Sequence, residues 1–492
     1  MSRLKLAGLA VAGLAVTLSA PVWGQFQEPT KDELQMTADA KAPGANAVYL
    51  YLEDVQDDGN NTRTYYDRVK ILTEKGEKLA TVRYSHSPNT KFEVEGRTIH
   101  KDGTIVPFTD QPADLVEFKA KGTQINSLVF TLPSAEVGCI LEYRVKFKYS
   151  SYAPYPDWMI QRDIFVRRGH YSYQTAHNSY YGVSFSSRLG NDLKVADNKK
   201  GLYTLDVTDI VALPDEDWMP PANSYRWWVT FFFSDFASRD AYWEVAEKTW
   251  ARFVLDFTEP TGILKKAVTE ILSPGDTDTQ KAQKIYAAVM KLENSDFTRE
   301  KTKVERKKEK IKDIHKAQDV WRDQGGSGDE IALLYVALAR AAGLNVLPMK
   351  VVDRSRAVFD EGLLWSGQMD DYIAVAQLDG KQIFLDPGEK LCPFGLLDWK
   401  HALSQGFLLN DKPSVPTATI TSTPSVNYKA SSIQRTADLT VDESGTLTGT
   451  VYIAFGGEEA LYWRQLWLEN DEIELRKQFN EWVKQHIPDG VN

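Results

Sequence analysis

Cysteine is nearly absent, with only Cys139 and Cys392 in 492 residues. The first sits where a strand begins, in Gly138-Cys139-Ile140-Leu141, and the second in a loop of what reads as another domain. Both are expected to be free, buried thiols, because a large domain needs no disulfide staple and free Cys is a small hydrophobe. The seven histidines are scattered, and none lies between Trp365 and Leu385. Metal-ligand spacing is therefore missing, and no metal or cofactor is expected. Basic charge is not in excess either. Lys and Arg number 58 against 68 Asp and Glu, a net charge of −10, which argues against nucleic acid as a partner. After the N-terminus no segment reaches the roughly 20 apolar residues of a spanning helix.

What the chain does have begins with an address. Arg3 and Lys5 precede an apolar stretch from Leu6 to Ala20 and small residues near Gly24, the pattern of a secretory signal peptide over residues 1–24. The protein is expected to be exported, periplasmic or extracellular, with no membrane span after cleavage. Residues 25–46 are polar and without period, a flexible lead. From Ala47 short alternating runs follow one another, among them 47–52, 68–72, 79–84 and 143–149, with a Gly-containing hairpin signal at Lys101-Asp102-Gly103. This spacing predicts an antiparallel β-sandwich domain over residues 47–238. His170 and His177 among Tyr171, Tyr173, Tyr180 and Tyr181 suggest either a sugar-stacking surface or, more simply, sheet packing.

Helical periods start at Asp240. The basic run 301–312 is interrupted by Glu305 and Glu309, so it reads as a solvated segment. Pro, Ser and Thr make 411–428 a linker, and 429–492 holds a hairpin and a Trp-rich helical stretch. That piece is too small to stand alone, so it either docks on the preceding domain or belongs to a third one. The expected fold class is α+β multidomain.

The clearest single element runs from Ser327 to Gly343. Ser327 and Glu330 form a capping box, Asp329 suits the positive end of the helix dipole, Arg340 the negative end, and Gly343 stops the helix. The run Ile331 to Ala342 is apolar nearly all round, so the helix is expected to be buried. The string Ser327-Gly328-Asp329-Glu330-Ile331-Ala332-Leu333-Leu334 resembles the nucleophile helix of the transglutaminase-like superfamily, which has a papain-like core. Met369-Asp370-Asp371-Tyr372 is similar to that family's strand carrying the catalytic His, and Phe384-Leu385-Asp386-Pro387 to its strand ending in Asp-Pro. The resemblance implies a papain-like α+β domain over 239–410 and triad positions at Ser327, Asp371 and Asp386. In this chain Ser replaces the cysteine and Asp the histidine. Leu132-Pro133 with Glu136-Val137-Gly138-Cys139-Ile140-Leu141-Glu142-Tyr143 resembles an uncharacterised all-β domain, DUF3857, that precedes such cores in secreted bacterial proteins.

Independently of that resemblance, Asp379-Gly380 is a strong hairpin dipeptide. It pairs Leu378 with Lys381 and sets Asp371 diagonal to Asp386 on one face. Two neighbouring carboxylates repel, so one is expected to hold a proton or recruit a cation. A serine needs an imidazole base, and neither His315 nor His401 is expected to reach the site. Three readings follow. The first is a non-catalytic binding or scaffold protein for a peptide, glycan or partner protein in the cell envelope. The second is a hydrolase, peptidase or acyl transferase using Ser327 with Asp371 and Asp386. The third is a cation site of Asp370, Asp371 and Asp386. The sequence leaves the oligomeric state open.

Overall fold

The computed structural model describes residues 26–120, 123–150, 156–176, 183–190, 192–216, 219–233, 236, 238–298, 302–308, 312–410 and 416–486. The signal-peptide reading, His177, Tyr180 and Tyr181 lie outside them. The protein is a multidomain α+β molecule, and its chain divides into two compact units. The first comprises 1–154, 164–177 and 193–212; the second comprises 155–163, 178–192 and 213–492.

In the first unit an eight-stranded sheet has the order Ala196–Asp197, Leu202–Ile210, Phe165–Gln174, Ala47–Asp57, Thr62–Ile71, Ile140–Lys148, Lys91–Ile99 and Ile105–Pro107. A three-stranded sheet is formed by Thr81–His86, Thr123–Thr131 and Ala113–Ala120. Alternation buries one face of each. Leu141, Tyr143, Val145 and Phe147 of the large sheet share a core with Val82, Leu128 and Phe130 of the small one. The expectation of purely antiparallel pairing is corrected at one place: Ala47–Asp57 and Phe165–Gln174 run parallel, with Val48 opposite Phe165. The long excursion between those strands leaves room for the crossover that a parallel pair needs.

A second correction concerns the lead. Thr30 and Glu33 form a capping box on a short helix, Lys31–Gln35, and Glu33 lies 3.0 Å from the buried guanidinium of Arg68. Local capping and a buried charge order a segment whose composition looked structureless. Tyr171 and Tyr173 are fully buried, so they pack rather than stack on a ligand, and His170 bonds Asp206 at 2.8 Å.

The second unit is built around the helix Gly328–Ala341, whose residues Ile331 to Ala339 are all buried. Helices Arg239–Phe257, Gly262–Ile271 and Asp278–Val289 contribute to its core. The helix packs on a five-stranded antiparallel sheet ordered Lys381–Leu385, Asp371–Leu378, Val346–Val351, Gln405–Leu409 and Ala418–Ser422. The last strand lies inside the segment read as a linker, and its backbone pairs antiparallel with Gln405–Leu409, with Gly406 opposite Thr421. A further three-stranded sheet holds Val183–Arg188, Trp228–Phe233 and Asp157–Met159.

The hairpin Ser432–Val441 and Leu447–Gly456 is followed by helices Gly457–Glu469 and Glu472–His486. This piece docks: Leu461 is buried, and Gln465 donates from Nε2 to Glu389 Oε2 at 3.1 Å and to the Lys390 carbonyl at 3.1 Å. Both cysteines are free and buried, Cys139 in the first unit and Cys392 in the second. Among the described residues no helix is long and apolar enough to cross a membrane.

Candidate functional site

The site is assembled where the N-terminus of the capped helix meets one end of the five-stranded sheet. Ser327 is the N-cap. Its Oγ accepts from the Glu330 amide at 3.3 Å, and its own amide donates to Glu330 Oε2 at 2.8 Å. Gly328 N donates to Asp296 Oδ2 at 2.8 Å, and Asp329 Oδ1 accepts from the Tyr372 amide at 3.0 Å. That last bond ties the first helical turn to the strand that begins at Asp371. Burial, with the nearby charge of Asp371, pushes the Asp329 carboxyl up to about 7.

The loop after Asp386 approaches the helix start so closely that both contacting residues must be glycine. A Cβ on Gly388 would lie 2.7 Å from the Gly328 carbonyl oxygen, and one on Gly328 would lie 2.8 Å from that of Gly388. The hairpin itself turns at Asp379 and Gly380, both with positive φ, and pairs Leu378 with Lys381 through to Ala374 with Leu385. One step further along this register sets Ile373 opposite Asp386. Asp371 and Asp386 thus stand at one end of the sheet.

What joins them is His401. Its Nδ1 is 2.6 Å from Asp386 Oδ2 and its Nε2 is 2.8 Å from Asp371 Oδ2, with the imidazole almost wholly buried. Ionised carboxylates only accept, so the ring donates at both nitrogens and is an imidazolium. Burial opposes that charge, but Asp386 and Asp371 outweigh it and hold the His401 pKa well above the ordinary imidazole value. Conversely, burial would raise Asp371, yet the bond and charge of His401, helped by Lys400 and Arg356, hold it below the usual carboxylate range. The expectation that His401 stays away from the site is therefore overturned. Two adjacent carboxylates did recruit a cation, and it is this side chain.

The sheet order explains the arrival of His401. Val351 pairs with Asp371 on one side and with Gly406 on the other, so the turn entering the strand Gln405–Leu409 lies at the same sheet end as Asp371. The sequence signal was the apolar run Phe407-Leu408-Leu409 after a loop, which was not assigned to this sheet. Asp398 completes the turn: its amide donates to Asp386 Oδ2 at 3.1 Å, and the His401 amide donates to the Asp398 carbonyl at 2.9 Å. Tyr286 donates its hydroxyl to the Asp386 carbonyl at 2.9 Å.

Around this triplet lie more charges. Lys400 Nζ is 2.6 Å from Glu389 Oε1 and 3.8 Å from Asp371 Oδ2. Burial and the Asp386 charge push Glu389 up to about 7, and burial with Asp398 pushes Glu458 of the docked C-terminal piece to about 7. Asp370 faces elsewhere. It accepts from the Asp353 amide at 3.1 Å and from Arg356 Nη1 at 2.8 Å, so the grouping of Asp370 with Asp371 and Asp386 is not formed. Ser327 makes its side-chain bond within its own helix turn, whereas Asp371 and Asp386 meet through His401. Cys392 is buried, and burial with nearby carboxylates raises its thiol well above the ordinary value, so it is no thiolate nucleophile.

Residues 57–212 match a domain family described as a domain of unknown function with solved structure, DUF3857. No curated protein matches the chain. Among solved structures, a candidate protease from Parabacteroides distasonis is 16% identical, with 77% of this chain and 72% of that chain covered and a TM-score of 0.48. A candidate cysteine protease from Cytophaga hutchinsonii is 11% identical, with coverage of 76% and 82% and a TM-score of 0.15. Native yeast LTA4 hydrolase is 10% identical over 38% of this chain and 29% of its own, with a TM-score of 0.19. Likenesses this distant carry nothing about the chemistry of this chain.

Proposed function

We propose that the protein is an exported, non-catalytic relative of the transglutaminase-like enzymes. In this reading it is a binding or scaffold protein for a peptide, glycan or protein partner in the cell envelope. One observation carries the proposal. Both ring nitrogens of the only imidazole at the described site are engaged by carboxylates, at 2.6 and 2.8 Å. A general base must present a free nitrogen lone pair to the nucleophile, and a doubly donating imidazolium has none. Ser327, at the family's nucleophile position by sequence resemblance, accepts the amide of Glu330 as an ordinary helix cap.

The chemistry that remains is structural. His401 places one positive charge between two aspartates where the enzymes of the resembled family would use an imidazole for proton transfer. The apolar core shared by the two sheets of the first unit supports the sandwich reading, and the N-terminal residue pattern supports export. No observation favours the hydrolase or acyl-transferase alternative, which requires an activated Ser327. Incubation of the purified protein with a fluorophosphonate probe separates the two. No labelling is expected in wild type or in Ser327→Ala. Labelling of wild type that is lost in Ser327→Ala would overturn the proposal.

A further inference from the structure

Carboxyl groups outnumber cationic side chains around His401. Asp371, Asp386 and Glu389 face Lys400 and His401, and Asp398 and Glu458 add to the acidic side. The imbalance has a specific structural trace. Asp386 is wholly buried and uses Oδ2 twice, for His401 Nδ1 and the Asp398 amide, yet its Oδ1 has no hydrogen-bond partner among the described residues. A buried carboxylate oxygen left bare is unfavourable by about 1–3 kcal/mol or more, and around it the carboxyl groups outnumber the cationic side chains, which leaves the cluster able to take a further positive partner.

The donor set suggests which. One ligand atom each from Asp371, Glu389 and His401 lies within 4.8 Å of the others. His401 is held at Nδ1 by Asp386, the arrangement in which a second carboxylate fixes the ring and makes Nε2 a better ligand. Lys400 places a single positive charge against Glu389 and near Asp371, marking where the field favours a cation. Its side chain is 23% exposed, so it has a route to solvent. One imidazole with two carboxylates is a donor set for a zinc-like ion rather than for calcium, which takes oxygens only.

We propose that Asp371, Glu389 and His401 bind one divalent transition-metal cation, with Lys400 displaced to solvent and Asp386 as the carboxylate that orients His401. Binding releases the Nε2 proton of His401 to solvent, because the metal takes that lone pair. The site goes beyond the scaffold reading and does not depend on it. A bound ion would fix the loop 386–401 against the strand start and against the docked helix that bears Glu458.

Calorimetric titration of the chelator-treated full chain with zinc chloride at pH 7.5 tests this. One site per chain is expected, with a heat that varies with buffer ionisation enthalpy because a proton is released. Glu389→Gln should weaken binding at least tenfold. Lys400→Ala should tighten it at least tenfold, since it removes the competing ammonium and keeps all three ligands. The second variant guards against loss of affinity through misfolding. Absence of zinc binding by wild type, or affinities in Glu389→Gln and Lys400→Ala equal to wild type, would overturn the proposal.

Discussion

Asp386 Oδ2 and His401 Nδ1 lie 2.6 Å apart in a fully buried setting, and this contact organises the whole end of the sheet. Through His401 it binds the strand start at Asp371, and through the Asp398 amide it closes the loop between them. Removing one partner strands the other. His401→Ala is expected to destabilise the protein by about 3–5 kcal/mol, the usual result of leaving a buried charge unpaired. Denaturant unfolding monitored by Trp fluorescence checks this, and a loss under about 1 kcal/mol would show that the contact is not structural.

Ser327→Ala should behave quite differently. Only a cap bond is lost, so a stability decrease of about 0.5–2 kcal/mol is expected, with no change in reactivity toward serine-directed reagents. A thermal melt together with probe labelling reads both quantities on one sample.

The approach of Gly388 to Gly328 makes a third test. Gly388→Ala would place a Cβ 2.7 Å from a backbone oxygen that has no side-chain rotamer to yield. Overpacking of this kind is unfavourable by about 1–3 kcal/mol, and circular-dichroism melts should show the shift. Gly395→Ala is a poor control because its φ is positive, whereas Gly262, with nothing within 4 Å of its added Cβ, is a good one.

Stability should fall as pH rises from mildly acidic to alkaline. Asp329, Glu389 and Glu458 each have folded values near 7, above the unfolded carboxylate range, so ionisation opposes folding progressively from about pH 4 to above 7. His401 acts in the same direction. Its folded pKa is raised, so its contribution is complete below about 6.5 and is lost as pH climbs through the folded value. Asp371, with a lowered folded value, contributes above its unfolded pKa and loses that only in acid. Melting temperatures at pH 5.5 and 8.5 should rank in that order, and Asp329→Asn should narrow the gap.

Local signals were the legible part of the sequence. The capping box at Ser327 and Glu330, the buried helix behind it, the Asp379-Gly380 turn and its register were all readable, because each depends on residues three to fifteen apart. The position of His401 was not. It depends on the strand Gln405–Leu409 choosing Val346–Val351 as its neighbour, a pairing across more than fifty residues that no periodicity encodes. Composition rather than distance hid the strand Ala418–Ser422 within a Pro, Ser and Thr-rich segment, although it pairs with the neighbouring strand Gln405–Leu409, and the polar lead obscured the local capping box of Thr30 and Glu33 that starts the helix Lys31–Gln35. The acidic pair at Asp371 and Asp386 was nevertheless a usable clue. Repulsion between them called for either a held proton or a cation, and the sequence named neither His401 nor any other residue as the cation.

The central claim is that in the metal-free protein the imidazole at this site is a cation held by two carboxylates and cannot serve as a base. Nitrogen NMR of the chelator-treated protein, labelled at histidine and assigned by comparison with His401→Gln, tests it directly. The account predicts that both ring nitrogens of His401 remain protonated well above the pH at which an ordinary imidazole titrates. A single-proton tautomer at neutral pH, or titration near the ordinary value of about 6.5, would contradict it.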